Sequence, residues 1–161
     1  MFLAILVGTG MLLGSLLSYT MATTLIVHLA VRLIRHGYTG LDFWKNVAVM
    51  VVVTLVTAAA HVVQIALWAV ALVMVGEVSA FEKAFYCSAE NYTALGYGDI
   101  VLSERWHLLG PLEAINGLLL FGLSTAVMFA VMSRLITNRL RFKFGLLDQE
   151  FINPEPRSAG W

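Results

Sequence analysis

The sequence predicts an all-α membrane protein, with three transmembrane helices and one shorter helix that enters the membrane and returns to the same side. Of the 161 residues, 60% are hydrophobic and only 12% are charged, and the mean hydropathy is +0.84. A soluble domain of this length exposes far more charge. Apolar runs well beyond 18 residues also recur along the chain, and such runs are typical of helices that cross a bilayer.

Three of the predicted segments are transmembrane. The first apolar run is too long for the core of a signal peptide and lacks a basic start, so we interpret it as a retained span. Trp44 and Lys45 precede the second run, where they form a typical interfacial anchor pair. The predicted segments are an N-terminal transmembrane helix over residues 1–36, a second over 46–76, a third over 108–136, and a polar, basic tail over 138–161.

A short helix is predicted between the second and third spans, over about residues 80–92. Its stretch "SAFEKAFYCSAENY" has helical spacing but only about three turns, too few to cross a bilayer. The glycine-rich strip "TALGYGD" follows it, over residues 93–99. Irregular backbone at membrane depth is tolerated only where protein buries it or where it lines a water-filled path. The strip must therefore be covered by partners or be solvated by a pore.

The basic residues indicate the orientation of the chain. Eight of the ten lie on one side of the predicted spans: Arg32, Arg35, Lys45, Arg134, Arg139, Arg141, Lys143 and Arg157. The positive-inside rule then predicts an outer N-terminus and a cytoplasmic C-terminus, in a bacterial inner membrane or a plasma membrane. The region around the short helix carries five acidic residues against Lys83 and Arg105, and such a surface concentrates cations. Polar loops are common, so this bias is weak evidence by itself.

The strip has the residue types of a cation site. Gly96 and Gly98 accept positive φ at no steric cost. Alternating them with ordinary residues can turn successive carbonyls toward the same side, whereas a strand points them alternately. Stacked carbonyls are hard oxygen ligands, which suit alkali cations. Because one chain supplies only one wall, a closed ring requires several copies.

The stretch "YTALGYGD" (residues 92–99) resembles the potassium-channel selectivity filter, T-V-G-Y-G-D. Glu90 and Asp99 stand where many bacterial members carry a pore-helix glutamate and the acid after the filter, a pair that can be hydrogen-bonded in that family. "FGLSTA" (residues 121–126) resembles the inner helix of the two-span channels, and Gly117 falls near the family's hinge glycine. The resemblance covers about residues 48–136, so the first span lies outside the two-span core.

This resemblance implies a homotetramer in which the short helix is a pore helix, residues 45–137 form the pore domain and the third span lines the cavity. It implies a K⁺-selective channel in the lipid bilayer, with K⁺ as the permeant ion, no cofactor, no enzymatic activity and no nucleic-acid partner. The implied ion-binding carbonyls belong to filter residues 94–98, and the implied supporting side chains stand around them. These residues are Ala94, Leu95, Gly96, Tyr97 and Gly98 for the ion, and Tyr86, Glu90, Thr93 and Asp99 for support.

Three features depart from the family pattern. Ala94 replaces the threonine whose hydroxyl helps to hold the innermost ion, and Leu95 replaces a valine or isoleucine. Tyr86 and Cys87 replace an aromatic pair of the pore helix, so that Tyr97 loses one customary partner, for which Tyr86 or Tyr92 could substitute. Two alternatives therefore stay open: a weakly selective monovalent cation channel, and a non-conducting scaffold or accessory subunit.

Four polar residues fall inside predicted spans, where burial is costly unless they pair or meet water. His61 and Gln64 are one turn apart in the second span, and Glu113 and Asn116 are one turn apart in the third. The depths are compatible with a contact between His61 and Glu113. We favour interhelical hydrogen bonds for these groups, and proton sensing by His61 is the functional alternative.

Two glycines of the third span, Gly117 and Gly122, allow either a gating hinge or close helix packing. The sequence favours neither reading. We find no nucleophile–base set and no HExxH-type metal spacing, so an enzyme is not expected. The gating stimulus has no sequence signal, because the chain lacks a repeated-arginine span and the tail is too short for a ligand-binding domain.

Overall fold

The computed structural model describes residues 2–35 and 43–152 of the chain. Within these ranges the chain folds into four helices and no strand. The helices are α1 (Phe2–Arg35), α2 (Phe43–Met74), α3 (Phe81–Tyr92) and α4 (Leu109–Ile152).

Three of the helices are long and apolar enough to cross a membrane. These stretches are Phe2–Arg32 in α1, Phe43–Met74 in α2 and Leu109–Thr137 in α4. The prediction of an all-helical chain with three helices of membrane-spanning length is confirmed for the described residues. Helix α4 extends beyond the predicted end of the third span, to Ile152. The remaining residues of the predicted tail, 153–161, lie outside the described part of the chain, as does Arg157 among them.

Two apolar clusters fix the directions of the three long helices. At one end, Ala4 of α1 packs with Leu72 of α2 and Leu109 of α4. At the other end, the late part of α1 packs with the start of α2 and the later part of α4, through Ile26, Ala30, Val49, Val53, Val131 and Leu135. Helices α1 and α4 therefore run in the same direction and α2 in the opposite one. The N-terminal end of α1 lies at the same end of the bundle as the α2–α4 connection.

Helix α1 packs closely against α4 near that end. A Cβ atom added at Gly8 would lie 2.4 Å from a side-chain carbon of Leu112. Only a glycine lets the two helices approach to this distance without displacing that leucine. The first helix is therefore an integral part of the bundle within one chain.

Helix α3 lies against α2 and α4, and its amphipathic sequence explains its position. Its buried residues Ala84, Cys87 and Ser88 recur at helical spacing. Ala84 and Cys87 pack into the same apolar cluster as the fully buried Trp68 of α2. Helix α3 ends at Tyr92; its C-cap, Thr93, still has right-handed helical dihedrals, and Ala94 is the first residue with a positive φ. The glycine-rich strip therefore begins directly at the end of α3.

Candidate functional site

The strip after α3 begins with a tight turn. The amide of Thr93 donates to the carbonyl of Ala89 at 3.1 Å, and the amide of Ala94 donates to the carbonyl of Asn91 at 2.9 Å. The amide of Leu95 then donates to the carbonyl of Glu90, also at 2.9 Å. These bonds satisfy terminal carbonyls of α3 and attach the first residues of the strip to that helix.

The backbone of the strip alternates in handedness. Ala94, Gly96 and Gly98 have positive φ values of 55°, 57° and 78°, and the residues between them do not. Positive φ at the two glycines agrees with the sequence analysis. At Ala94 it is new, and it costs about 1–2 kcal/mol for a residue with a Cβ atom. Ala94 stands two positions before Gly96, as Gly96 does before Gly98, and this spacing is the sequence signal that could have indicated its positive φ.

The side chains of the strip are open in the single chain. Leu95 is 56% exposed and Tyr97 is 71% exposed. A cavity of about 370 Å³ lies beside the strip and the first turn of α4, and its walls include Ala94, Val101 and Pro111. One chain therefore leaves both the apolar side chains of the strip and the space beside it uncovered.

Tyr86 is the hydrogen-bond donor to the buried acid below the strip. Its hydroxyl lies 3.2 Å from an oxygen of Glu90, which is only 5% exposed. Desolvation, this hydrogen bond and the negative charge of Asp99 raise the pKa of Tyr86 to about 12. The pair that the resemblance implied, Glu90 with Asp99, is not hydrogen-bonded within the described residues. Tyr86 stands between the two acids instead.

A first buried polar cluster joins α3 to α2 and α4. Ser88 of α3 donates to the carboxylate of Glu113, and it also lies 2.8 Å from the carbonyl oxygen of Ile65. The side-chain amide of Asn91 lies 3.4 Å from the other oxygen of Glu113. Glu113 is fully buried, so these partners are what makes its position tolerable.

A second buried polar cluster contains one residue from each helix, and we call it the four-helix cluster. It consists of Tyr19 of α1, His61 of α2, Tyr92 of α3 and Ser124 of α4. His61 Nδ1 lies 2.8 Å from the Tyr92 hydroxyl, and His61 Nε2 lies 2.7 Å from Ser124 Oγ and 3.1 Å from the Tyr19 hydroxyl. The Tyr19 hydroxyl also contacts Ser124 Oγ.

The contact between His61 and Glu113 that the depths allowed is not formed. The two side chains belong to different clusters, because His61 lies level with Ser124, which is about 16 Å farther along α4 than Glu113. Helix α3 supplies Tyr92 to one cluster and Ser88 to the other. The interhelical hydrogen bonds that we favoured for both residues are present. Proton sensing by His61 stays a prediction.

Gln64 and Asn116 differ from His61 and Glu113 because part or all of their side-chain amide lacks a hydrogen-bond partner among the described residues. The Gln64 amide nitrogen lies 3.0 Å from the Ser18 hydroxyl of α1 and 3.4 Å from the Ser15 carbonyl. Its carbonyl oxygen has no hydrogen-bond partner among the described residues, and neither amide atom of Asn116 has one there. Asn116 is only 1% exposed, so its amide is an uncompensated polar group inside the bundle.

The two glycines of α4 have different surroundings. A Cβ atom at Gly117 would lie 1.9 Å from the backbone oxygen of Tyr92, whereas a Cβ atom at Gly122 would meet nothing within 4 Å. Gly117 therefore lets α4 touch the end of α3 directly, which is the close packing that the sequence allowed. A hinge at either position stays a prediction.

Comparison with known proteins identifies the class. A family model described as "Ion channel" matches residues 50–134, more than half of the chain. The chain belongs to this ion channel family, and the match covers most of α2, all of α3 and the strip, and most of the apolar part of α4. Comparisons with curated proteins and with solved structures gave no match.

Sequence reasoning did not identify Tyr19 or Ser124 of the four-helix cluster as functional candidates, and it named Tyr92 only as a possible partner of Tyr97. Ser124 lies within the stretch "FGLSTA", but its partner could not be read from that motif. Tyr92 is the strongest missed signal, because an amphipathic side chain stands at the very end of α3. Its hydroxyl needs a buried partner there. Only the fold shows that this partner is His61.

Proposed function

We propose that the protein is a K⁺-selective channel that assembles as a homotetramer around the strip. In this proposal α3 is the pore helix, and the carbonyls of residues 94–98 replace the water shell of K⁺. Helix α4 lines the inner cavity, and α1 is an added transmembrane helix of each subunit. Membership of the ion channel family supports the conduction of ions, and the strip supports the choice of ion.

The observation that carries the proposal is the alternating handedness at Ala94, Gly96 and Gly98. A strand would point neighbouring carbonyls to opposite sides. Residues of alternating handedness can bring them to one side, where they form a ladder of oxygen ligands. Such carbonyl ladders are how potassium channels replace the hydration shell of the ion.

The exposure of the strip supports several copies. Leu95 and Tyr97 leave large apolar areas uncovered, and a cavity lies beside them on the same chain. Another copy of the chain can fill the cavity with its own side chains and can cover Leu95 and Tyr97. Four copies around one axis would close the ring of carbonyls that a single chain leaves open.

The charges support an orientation with the strip near the outer surface. The end of the bundle near the strip carries Glu77, Glu82 and Glu104 in addition to Glu90 and Asp99. The other end carries Arg32, Arg134 and Arg139 among its basic residues, which the positive-inside rule assigns to the cytoplasm. An acidic outer mouth would raise the local concentration of cations before they enter.

A second function, a weakly selective monovalent cation channel, is favoured by one observation. Ala94 has no hydroxyl at the innermost position of the strip. The site there would hold an ion through carbonyls on one side, with water completing its shell. Loss of such a ligand weakens discrimination between K⁺ and Na⁺ more than it hinders permeation.

The experiment is reconstitution of the purified protein into liposomes with K⁺ or Na⁺ gradients. Flux that strongly prefers K⁺ supports the first function, and nearly equal flux supports the second. The absence of flux in both, from liposomes shown to hold assembled protein, would overturn both functions and indicate a scaffold or accessory subunit. Fourfold particle symmetry with ion density along the axis is the structural check. A map with carbonyls 94–97 turned away from the axis contradicts the proposal.

A further inference from the structure

We infer that α1 positions the strip, and that Tyr19 does so through the four-helix cluster. This inference rests on the proposed function and adds to it a role for a helix outside the segment that matches the ion channel family. The matching segment begins at residue 50, whereas Tyr19 lies in the middle of α1. Tyr19 is a positioning residue, since it acts on the strip through His61 and Tyr92.

Tyr92 connects the cluster to the strip. It is the last residue of α3, and Ala94, the first residue with positive φ, follows two positions later. Three contacts hold it: its hydroxyl lies 2.8 Å from His61 Nδ1, its ring meets the Phe121 ring edge-on at 5.5 Å, and its carbonyl touches the backbone at Gly117. A shift of Tyr92 therefore moves the start of the strip.

One arrangement of hydrogens that satisfies the cluster starts from Ser124. Its Oγ lies 2.7 Å from the carbonyl of Leu120, and when it donates there it accepts from its other neighbours. In this arrangement His61 donates from Nε2 to Ser124, and His61 Nδ1 accepts from the Tyr92 hydroxyl. The Tyr19 hydroxyl donates to the second lone pair of Ser124. A neutral His61 with hydrogen on Nε2 satisfies every member of the cluster.

Tyr19 closes this cluster on the side of α1. Tyr19 is only 1% exposed, and the centroid of its ring lies 5.0 Å from the centroid of the His61 ring. The His61 ring also contacts the Phe121 ring of α4, at a centroid distance of 4.5 Å. The imidazole therefore contacts aromatic rings from two other helices. Removal of the Tyr19 hydroxyl takes one donor from Ser124 and loosens the ring that sets the direction of Nδ1 toward Tyr92.

Two further groups of α1 contact Gln64 of α2 at this level. Ser18 accepts from Gln64 one helical turn from His61, and the Ser15 carbonyl accepts from the same amide. A helix that only shielded the bundle from lipid would need no such partners. Interhelical hydrogen bonds fix the rotation and depth of a helix in the membrane, which is what a positioning role requires.

The test compares two single-hydroxyl variants of α1 in reconstituted tetramers. Tyr19→Phe removes the hydroxyl that α1 contributes to the four-helix cluster. Thr23→Val is the matched control, because Thr23 is also buried but its hydroxyl bonds only to the backbone of its own helix, at Tyr19 and Thr20. The readout is the K⁺/Na⁺ permeability ratio from reversal potentials, on protein whose assembly and melting temperature are measured in parallel.

We expect Tyr19→Phe to change the permeability ratio by about threefold or more, and Thr23→Val to leave it unchanged. Tyr92→Phe should produce a similar change, and Tyr19→Phe should add nothing further in that background, since both act through His61. Equal ratios in Tyr19→Phe and the control would overturn the inference. Independent, multiplying effects of Tyr19→Phe and Tyr92→Phe would overturn it as well.

A second readout separates this inference from the proposed function, since it requires no flux. Hydrogen exchange of the Ala94 and Leu95 amides, which donate to Asn91 and Glu90, reports the start of the strip directly. Tyr19→Phe should speed their exchange relative to wild type and to Thr23→Val. If wild type carries no K⁺ but the exchange responds as expected, the proposed function fails and the positioning role stands. An unchanged exchange rate ends the positioning role.

Discussion

Residues 87–92 and residues 94–99 are neighbours in sequence but lie in opposite surroundings. The first segment is buried by its own chain, with Ser88 bonded to Glu113 and Tyr92 bonded to His61. The second segment is exposed, with unfilled space beside it. One chain thus completes the support of the strip by itself, and it leaves the strip uncovered. Changes in the first segment should act on folding, and changes in the second on conduction.

The largest effect is expected at the junction of α3 with α4. Gly117→Ala would place a methyl group 1.9 Å from the backbone oxygen of Tyr92, which cannot move without displacing α3. Overpacking of this kind costs typically about 1–3 kcal/mol and here should reach the upper end. We expect loss of most folded protein, measured as the yield of folded protein after extraction and by thermal unfolding.

Gly122→Ala is the matched control on the same helix, because its added methyl group meets nothing within 4 Å. The free energy of unfolding of Gly122→Ala should differ from that of wild type by no more than about 1 kcal/mol. Open probability in the same variants tests the hinge alternative. If Gly117→Ala folds like wild type but gates differently, the hinge reading is correct and the packing reading is wrong.

The next effect is expected in the strip, on flux more than on folding. Gly96 has φ of +57° and open space around it in the single chain. Gly96→Ala should therefore fold, at a conformational cost of about 1–2 kcal/mol per residue, and should lose K⁺ flux because the strip relaxes from its alternating conformation. Liposome flux and the yield of folded protein are measured together. Gly14→Ala, with space around it and no positive φ, is the control that should keep both.

A smaller effect is expected from restoring a hydroxyl at the start of the strip. Ala94→Ser supplies the missing oxygen without a branched Cβ, which the positive φ of Ala94 disfavours. We expect the K⁺/Na⁺ permeability ratio to rise severalfold, as measured by reversal potentials. Ala94→Thr should raise it less or cost assembly, because its branched side chain fits this conformation poorly. No change in Ala94→Ser would remove the argument for weak selectivity.

The mildest test leaves the pore unchanged and probes the buried side of α3. Cys87 is 2% exposed, and burial, followed by the negative charges of Glu113 and Glu90, raises the pKa of its thiol to about 11. Because the thiolate is the reactive form, maleimide labelling of native protein at pH 7 should be slower by about 100-fold than for an unshifted thiol, even before access is counted. Mass spectrometry over time measures it.

An exposed thiol provides the comparison for this measurement. Val101 is 80% exposed beside the strip, so Cys87→Ala combined with Val101→Cys should label rapidly under the same conditions. Rapid labelling of Cys87 in wild type would mean that α3 is not buried as described. The statement that residues 87–92 are buried by their own chain would then be wrong.

The sequence by itself predicted much of the fold because membrane burial requires long apolar runs and the strip contains specific residues. The apolar runs gave the three long helices, and the short amphipathic stretch gave α3 to within a residue or two. Gly96 and Gly98 were expected to accept positive φ, and both have it. The stretch that resembles a filter therefore lies where the spacing indicated, between α3 and α4.

Only the tertiary structure decided which polar groups meet inside the bundle. The spacing of His61 and Glu113 allowed a contact, but His61 lies level with Ser124, farther along α4, and α3 gives each side chain a different partner. The close approach at Gly117 and the role of Tyr19 depend on which faces of α1, α3 and α4 oppose one another. Helical periodicity places a residue on a face of its own helix. The partner across the interface is set by rotation and depth, which are settled only when all four helices pack together.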